Sequence, residues 1–467
     1  MAMNALPYEI LSKIFTYVAD DDQDFQDPKQ TLSSVSRTSC RLHHAAQPIL
    51  YSNFEESNRR TLLKYLGTIL DCPHLAANVK TYHGWHKPWT FTKYSANVAF
   101  SAWKTNNPGL ANIIREITAS GDEAQDWFKE MEEGSWDAMT ALALAHLPNL
   151  QQLHLTIIGI HIHHPYRITR ADYEVGNYYW IRETLMRAAQ LQHQGISSPL
   201  ALEHLTTLTI HPNRDNCREL SMSQLLPLLR IKSLKKLFAR GWDLEWGQIE
   251  TAKLTIVELE LLNFTVKEEF FVPFFECFPA LEKLRYKHPR MEGKHRGLLR
   301  TVSLANALIQ TRPPLRELYI ENGSVEHRWF NVSSIGLIKS FRGFESLEIL
   351  ELLAFDQWVF WGIGEISKSD FRPLAELLPR KIKRLALRGA SPWTCGHAME
   401  LLKQKDKFPN LEALTIDFAH EVLVEEDGAE LSLLRETSAR SGVVLVVQGG
   451  SYSNPYDEEC ADIEFDL

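Results

Sequence analysis

From about residue 75 onward the apolar residues follow one recurring order, L-x-x-L-x-L, in which alternate positions share a face over a short strand and a helical stretch follows. Nine copies begin at Leu150, Leu205, Leu234, Ile256, Leu281, Leu315, Leu347, Ile382 and Leu411, with starts 22 to 55 residues apart. Val79 to Tyr82 reads as a degenerate first copy and Val443 to Val447 as a last strand. Between strands, Leu298, Val302, Ala305 and Leu308 form a helical stripe, and Phe371, Leu374 and Leu378 repeat it. A strand-helix unit cannot cover its own apolar face, so stacked units are expected to build a curved α/β solenoid with parallel inner strands and outer helices.

This pattern resembles an irregular leucine-rich repeat array over roughly residues 75 to 450; an ordinary α/β domain with leucine-rich strands is the alternative. Two inserts, about residues 90 to 145 and 160 to 200, interrupt it. The second runs through His161, His163 and His164, then Tyr166, Tyr173, Tyr178, Tyr179 and Trp180, into an expected helix.

The first fifty residues have a different period. Leu6, Ile10, Leu11, Ile14, Phe15 and Val18 form a wide helical face, with Pro7 suited to the first turn and Glu9 to the positive helix start. That face exceeds the internal needs of a small module and leaves apolar surface for a partner. A second helix pattern starts at Leu32 and Val35 and continues through Arg41, Leu42 and His43 to Ala46, with Pro48 to Tyr51 ending it. The constellation Leu6-Pro7-x-Glu9-Ile10-Leu11-x-x-Ile14-Phe15, Val35-Ser36-Arg37, Arg41-Leu42-His43 and Ala46-x-Pro48-x-Leu50-Tyr51 resembles the F-box of fungal F-box proteins. The resemblance implies a small helical module that docks on a Skp-family adaptor and, through it, on a cullin-RING ubiquitin ligase. It places Leu6, Pro7, Ile10, Leu11, Ile14 and Val35 at the adaptor interface. The acidic stretch Asp20 to Asp27 lengthens the first loop beyond the family pattern.

Composition narrows the classes. The chain has 467 residues, 44% of them hydrophobic and 23% charged, close to globular averages. No apolar run reaches a membrane span, and Met1 to Val18 lacks the pattern of a secretory signal, so a cytoplasmic or nuclear protein is expected. Six cysteines are scattered singly without a C-x-x-C pair, which argues against a disulfide framework or a cysteine zinc site. Acids between Asp20 and Asp27 and between Asp457 and Asp466 account for more than the whole net charge of −9, leaving a nearly neutral body. Neither a nucleic-acid nor a membrane surface is implied.

Catalytic signatures are missing: no G-x-S-x-G, H-E-x-x-H or phosphate-binding loop occurs, and no cofactor or enzyme activity is expected. The three histidines at 161 to 164 lack the companion ligands of a metal site and read as a wet loop. The repeats offer a surface instead, because residues between the motif leucines project from the concave face. Their signs alternate by strand: Lys236, Phe238 and Arg240; Glu258 and Glu260; Lys283, Arg285 and Lys287; Glu317, Tyr319 and Glu321. Either these charges pair across the ladder or they form a mixed-charge groove for a protein segment.

Aromatics mark a second candidate. Eight tryptophans follow strands closely, at Trp85, Trp89, Trp242, Trp246, Trp329, Trp358, Trp361 and Trp393. They either gather on one rim as a binding hot spot or pack over their own turns. The candidate substrate contacts are Trp242, Trp246, Tyr319, Trp329, Trp358, Trp361 and Trp393. The expected organisation is an adaptor-binding module at 1–55, a repeat solenoid at 75–450 and an acidic tail at 451–467. The expected function is substrate recognition in a Skp-cullin-F-box ubiquitin ligase. The alternatives are a non-ligase scaffold, or a small-molecule sensor in which Lys283, Arg285 and Lys287, if unpaired, grip an anionic ligand.

Overall fold

The structure is a computed structural model that describes residues 6–19, 28–56, 59–85, 100–101, 103–105, 107–157, 179–212, 220–221, 228–244, 253–266, 268–287, 301–321, 340–353, 373–390, 393–418 and 428–449. The chain falls into two compact units, 1–238 and 239–467.

The first unit opens with α1 (Tyr8–Ala19), α2 (Pro28–Ser36) and α3 (Cys40–Leu50). Leu11, Phe15, Leu32, Leu42, Ala45 and Ala46 form their common core. The single second helix expected from the sequence is in fact two. Arg37 to Ser39 break it, and the Ser39 hydroxyl accepts from the Leu42 amide at 3.2 Å, capping α3. Pro48 lies inside α3, which ends at Leu50 with Tyr51 as its C-cap, within the Pro48 to Tyr51 stretch expected to end it. Proline cannot donate to the carbonyl four residues back, and that carbonyl, His44 O, lies 3.5 Å from the Tyr8 hydroxyl. The Arg41 guanidinium donates to Leu6 O at 2.5 Å and ties α3 to the entry of α1.

Strands β1 (Asn53–Glu55), β2 (Thr81–Trp85), β3 (Gln152–Ile157) and β4 (Thr207–Pro212) follow, each parallel to the next. The sheet therefore starts at residue 53 rather than near 75, with Asn53 in register with Thr81. Between β2 and β3 lie α4 (Leu110–Ile117), α5 (Gly121–Glu132) and α6 (Trp136–Leu144), which occupy the first insert. Beyond β3, α7 (Tyr179–Gln194) is the helix expected after the second insert. Strand β5 (Lys236–Arg240) spans the boundary between the units.

The second unit carries β6 (Glu258–Leu262), β7 (Lys283–Lys287), β8 (Glu317–Glu321), β9 (Ile349–Leu353), β10 (Arg384–Ala390), β11 (Ala413–Phe418) and β12 (Val444–Gly449). All neighbours are parallel, and equal motif positions sit side by side: Leu259, Leu284, Leu318, Leu350, Leu385, Leu414 and Leu445 form one row. The leading residue of every motif, from Leu150 to Leu411, is buried just ahead of its strand. At about 1.5 to 3 kcal/mol for each fully buried leucine or isoleucine, these rows dominate the packing energy.

Helices include Thr301–Thr311, where Leu304, Ala305 and Leu308 are buried, and Trp393–Lys403 and Gly428–Ser441. Leu298 and Phe371 lie outside the described residues, and Leu378 is buried just beyond the short helix Leu374–Leu377. A 3-10 turn at Leu228–Arg230 precedes β5.

Candidate functional site

The N-terminal helices divide the expected adaptor contacts. Leu11 is fully buried in the three-helix core, so it has no surface to offer and is a core residue, not an interface residue. Leu6, Ile14 and Val35 pack against that core while keeping part of their surface. Pro7 is exposed, and Ile10 is 42% exposed. Sequence reasoning missed Tyr8 and Tyr17, the latter 74% exposed. Ile10 and Tyr17 are two helical turns apart and so share the side of α1 opposite Leu11 and Phe15, a relation the seven-residue spacing carries.

On the second unit, the outward residues of β6, β7 and β8 pair across the sheet. Lys283 Nζ lies 3.0 Å from Glu258 and 3.6 Å from Glu317, Arg285 lies 3.3 Å from Glu260, and Lys287 lies 2.5 Å from Glu321. Burial opposes the charge on Lys283, but the Glu258 hydrogen bond and both carboxylates outweigh it and raise the ammonium pKa. The pattern continues with Glu348, which meets Lys383 at 2.8 Å and Arg316 at 3.4 Å, and with Arg388 at 2.5 Å from Glu351. The alternating signs are thus ladder pairs. Lys283, Arg285 and Lys287 are not the unpaired cations that an anion-gripping sensor needs.

Tyr319 belongs to the same ladder. Its hydroxyl donates to Glu317 at 3.0 Å, Lys283 Nζ lies 5.9 Å from its ring centroid, and burial with the Glu317 contact pushes the phenol up to about 12. It is held among charges. Trp246, Trp329, Trp358 and Trp361 lie outside the described residues, as do the side chains of Trp242 and Trp393 and the histidines at 161, 163 and 164. Trp85 ends β2 and is exposed.

The outward face of the first unit has other chemistry. His83 and His154, in register on β2 and β3, stack with centroids 4.3 Å apart and planes 4° from parallel. His211 Nε2 on β4 lies 3.2 Å from Thr156 Oγ1. Burial, with the neighbouring His83 and His211 imidazoles, pushes His154 down to about 4, and burial also lowers His83. These two rings are therefore neutral at physiological pH. Among the described residues no group of three or more histidine, cysteine, aspartate or glutamate side chains could hold a metal ion. Among them, too, no helix is long and apolar enough to cross a membrane.

An open parallel sheet with helices and 3-10 turns between strands, stacked leucine rows inside and a variable outward face is the architecture of a protein-protein interaction scaffold. Residues 56–407 match the model of the leucine-rich repeat domain, and the chain belongs to that family, whose domains are typically non-catalytic interaction modules. No curated protein matches the chain significantly.

Proposed function

We propose that the chain is the substrate-recognition subunit of a Skp-cullin-F-box ubiquitin ligase, with residues 1–55 as an F-box that docks a Skp-family adaptor and the repeats as the seat of a protein substrate. The observation that supports it most is α1, whose inner side holds the module core while Ile10 and Tyr17 stand exposed on another side and Pro7 is exposed just before the helix. Exposed apolar surface on a small helical module is suited to a helical partner. On this reading the chain supplies proximity: substrate held near the transfer machinery reacts at a raised effective concentration, without a catalytic side chain of its own.

The test is affinity capture of the intact chain beside Ile10→Asp and a Leu6, Pro7 double alanine variant, with adaptor and cullin measured by immunoblot. Adaptor and cullin with the intact chain, and at least about tenfold less of both with Ile10→Asp at unchanged melting temperature, is the expected outcome. Capture of adaptor without cullin assigns the non-ligase scaffold. An intact chain that captures no adaptor refutes both readings.

A further inference from the structure

Between Leu377 and Met399 the chain has five cations, Arg380, Lys381, Lys383, Arg384 and Arg388, and no carboxylate. Two of them are held inside the ladder, Lys383 by Glu348 and Arg388 by Glu351. Arg380 and Lys381, in the turn ahead of β10, and Arg384, its first residue, are exposed, and no carboxylate pairs with them among the described residues. The register explains Arg384: its neighbours are Ile349 on β9 and Ala413 on β11. The same outward face turns apolar toward β12. Val444, opposite Ala413, is 63% exposed, and Val446, opposite Thr415, is exposed as well. Alanine and threonine are too short to cover the valines from β11. A partner that covers an unpaired cation and exposed aliphatic surface breaks no ion pair, unlike one that docks over Lys283 between Glu258 and Glu317.

We propose that the outward face of β10 to β12 binds an extended segment of a partner protein in which carboxylates stand close to an apolar side chain. Its carboxylates meet Arg384, Lys381 and Arg380, and its apolar side chain covers Val444 and Val446. Adjacent strands lie about 4.8 Å apart, so Arg384 and Val444, two strands apart, are separated by about 10 Å. The long arginine stem shortens that gap, and at about 3.3 Å per residue the acid and the apolar residue stand about two to four residues apart. The cations are spread over the turn and the strand start rather than converged on one point, which suits several carboxylates and not one phosphate dianion. Among the described residues the apolar half, Val444 and Val446, is aliphatic and offers no ring for a base to stack on, which sets nucleic acid aside. This assignment rests on the reading of the repeats as the seat of a protein partner and is independent of the adaptor.

A random dodecapeptide phage library, selected on the purified full chain, is the probe. Recovered peptides should carry Asp or Glu about two to four residues from an apolar residue. Fluorescence anisotropy of the strongest should show at least about tenfold weaker binding to Arg384→Glu and to Val444→Asp at unchanged melting temperature, because both side chains are exposed. Arg285→Gln, on the paired ladder, should bind as the parent does. Exchanging the peptide's acid for lysine should restore binding to Arg384→Glu. If Arg384→Glu melts lower, Lys381→Glu in the turn applies the same charge test. Recovery of no acidic peptide, or equal binding by the parent, Arg384→Glu and Val444→Asp, overturns the proposal. So does a phosphoserine in the acid's place that binds at least about tenfold tighter, which would give the cations to a phosphate. Adaptor is absent from this assay, so its failure leaves the adaptor capture by residues 1–55 standing.

Discussion

Asp137 offers the sharpest test of the first unit's packing. It sits in the first turn of α6, and its carboxylate accepts the amides of Trp180 at 2.7 Å and Ile181 at 3.0 Å, holding the start of α7. Burial pushes its pKa up to about 7, against those amides and the Arg182 charge, with Glu130 adding to the rise. Below its ordinary value of 3.8 both folded and unfolded chains are protonated there. Between 3.8 and about 7 only the unfolded chain ionises, so the folded state binds more protons and stability falls as pH rises. At about 1.4 kcal/mol per pH unit the whole window amounts to about 4 kcal/mol, of which about 3 accrues between pH 5 and pH 8. Asp137 keeps some surface, which makes these figures upper bounds. Asp137→Asn cannot ionise. Its side chain offers one acceptor oxygen to two backbone donors, with an NH2 in the other place, so the variant starts about 0.5 to 2 kcal/mol less stable in acid. The assay is native-state hydrogen exchange of residues 179–194, with opening free energies compared at pH 5 and pH 8 after correction for intrinsic rates. Burial of neutral His154 has the opposite slope, raising stability from pH 4 to 6.5, but it is common to both proteins and cancels in the difference. The variant should gain on the parent as pH rises. Parallel pH dependences would refute the buried-carboxyl reasoning.

Two other perturbations probe the second unit. Lys283→Met, combined with Glu258→Gln in a double-mutant cycle of denaturant unfolding, should show a coupling of about 0.2 to 1 kcal/mol that shrinks in 1 M salt; zero coupling would return the ladder to a free mixed-charge groove. Leu350→Ala removes a fully buried side chain between Leu318 and Leu385 and should cost about 2 to 5 kcal/mol in the same assay, while a cost below about 1 kcal/mol would deny the leucine row its part in stability.

What could be read in the sequence was whatever has a period. The nine motif starts were legible because a leucine or isoleucine that plugs the core ahead of a strand stands three positions before the first inward position on it, and the next inward position follows two later. The alternating charges were legible for a related reason: in-register parallel repeats place equal motif positions opposite one another, as Lys283 stands between Glu258 and Glu317. What escaped depended on contacts distant in sequence. Leu11 and Ile10 are neighbours on one apolar helix, and only the placement of α2 and α3 decides that Leu11 is sealed while Ile10 faces out. Asp137 is an unremarkable acid until Trp180 and Ile181 arrive from 43 and 44 residues away. Nor does the sequence reveal that Tyr8 approaches the His44 carbonyl that Pro48 leaves without a helical donor.

The paired ladder also restricts where partner affinity can come from. A ligand that docks on β6 to β8 must strip water from charges already satisfied by one another, and whatever it gains is set against the pairs it breaks. Uncharged regions carry no such cost. One is on view in the first unit, the imidazole and threonine face of β2 to β4, where His83 and His154 are neutral at pH 7; on α1 the exposed apolar side chains of Ile10 and Tyr17 flank the exposed Lys13. The charged strands therefore read as the part of the scaffold that fixes register and solubility, and the uncharged surfaces as the part with binding free energy to spend. Substitutions on β2 to β4 should accordingly affect capture of a partner protein more than substitutions of equal size on β6 to β8.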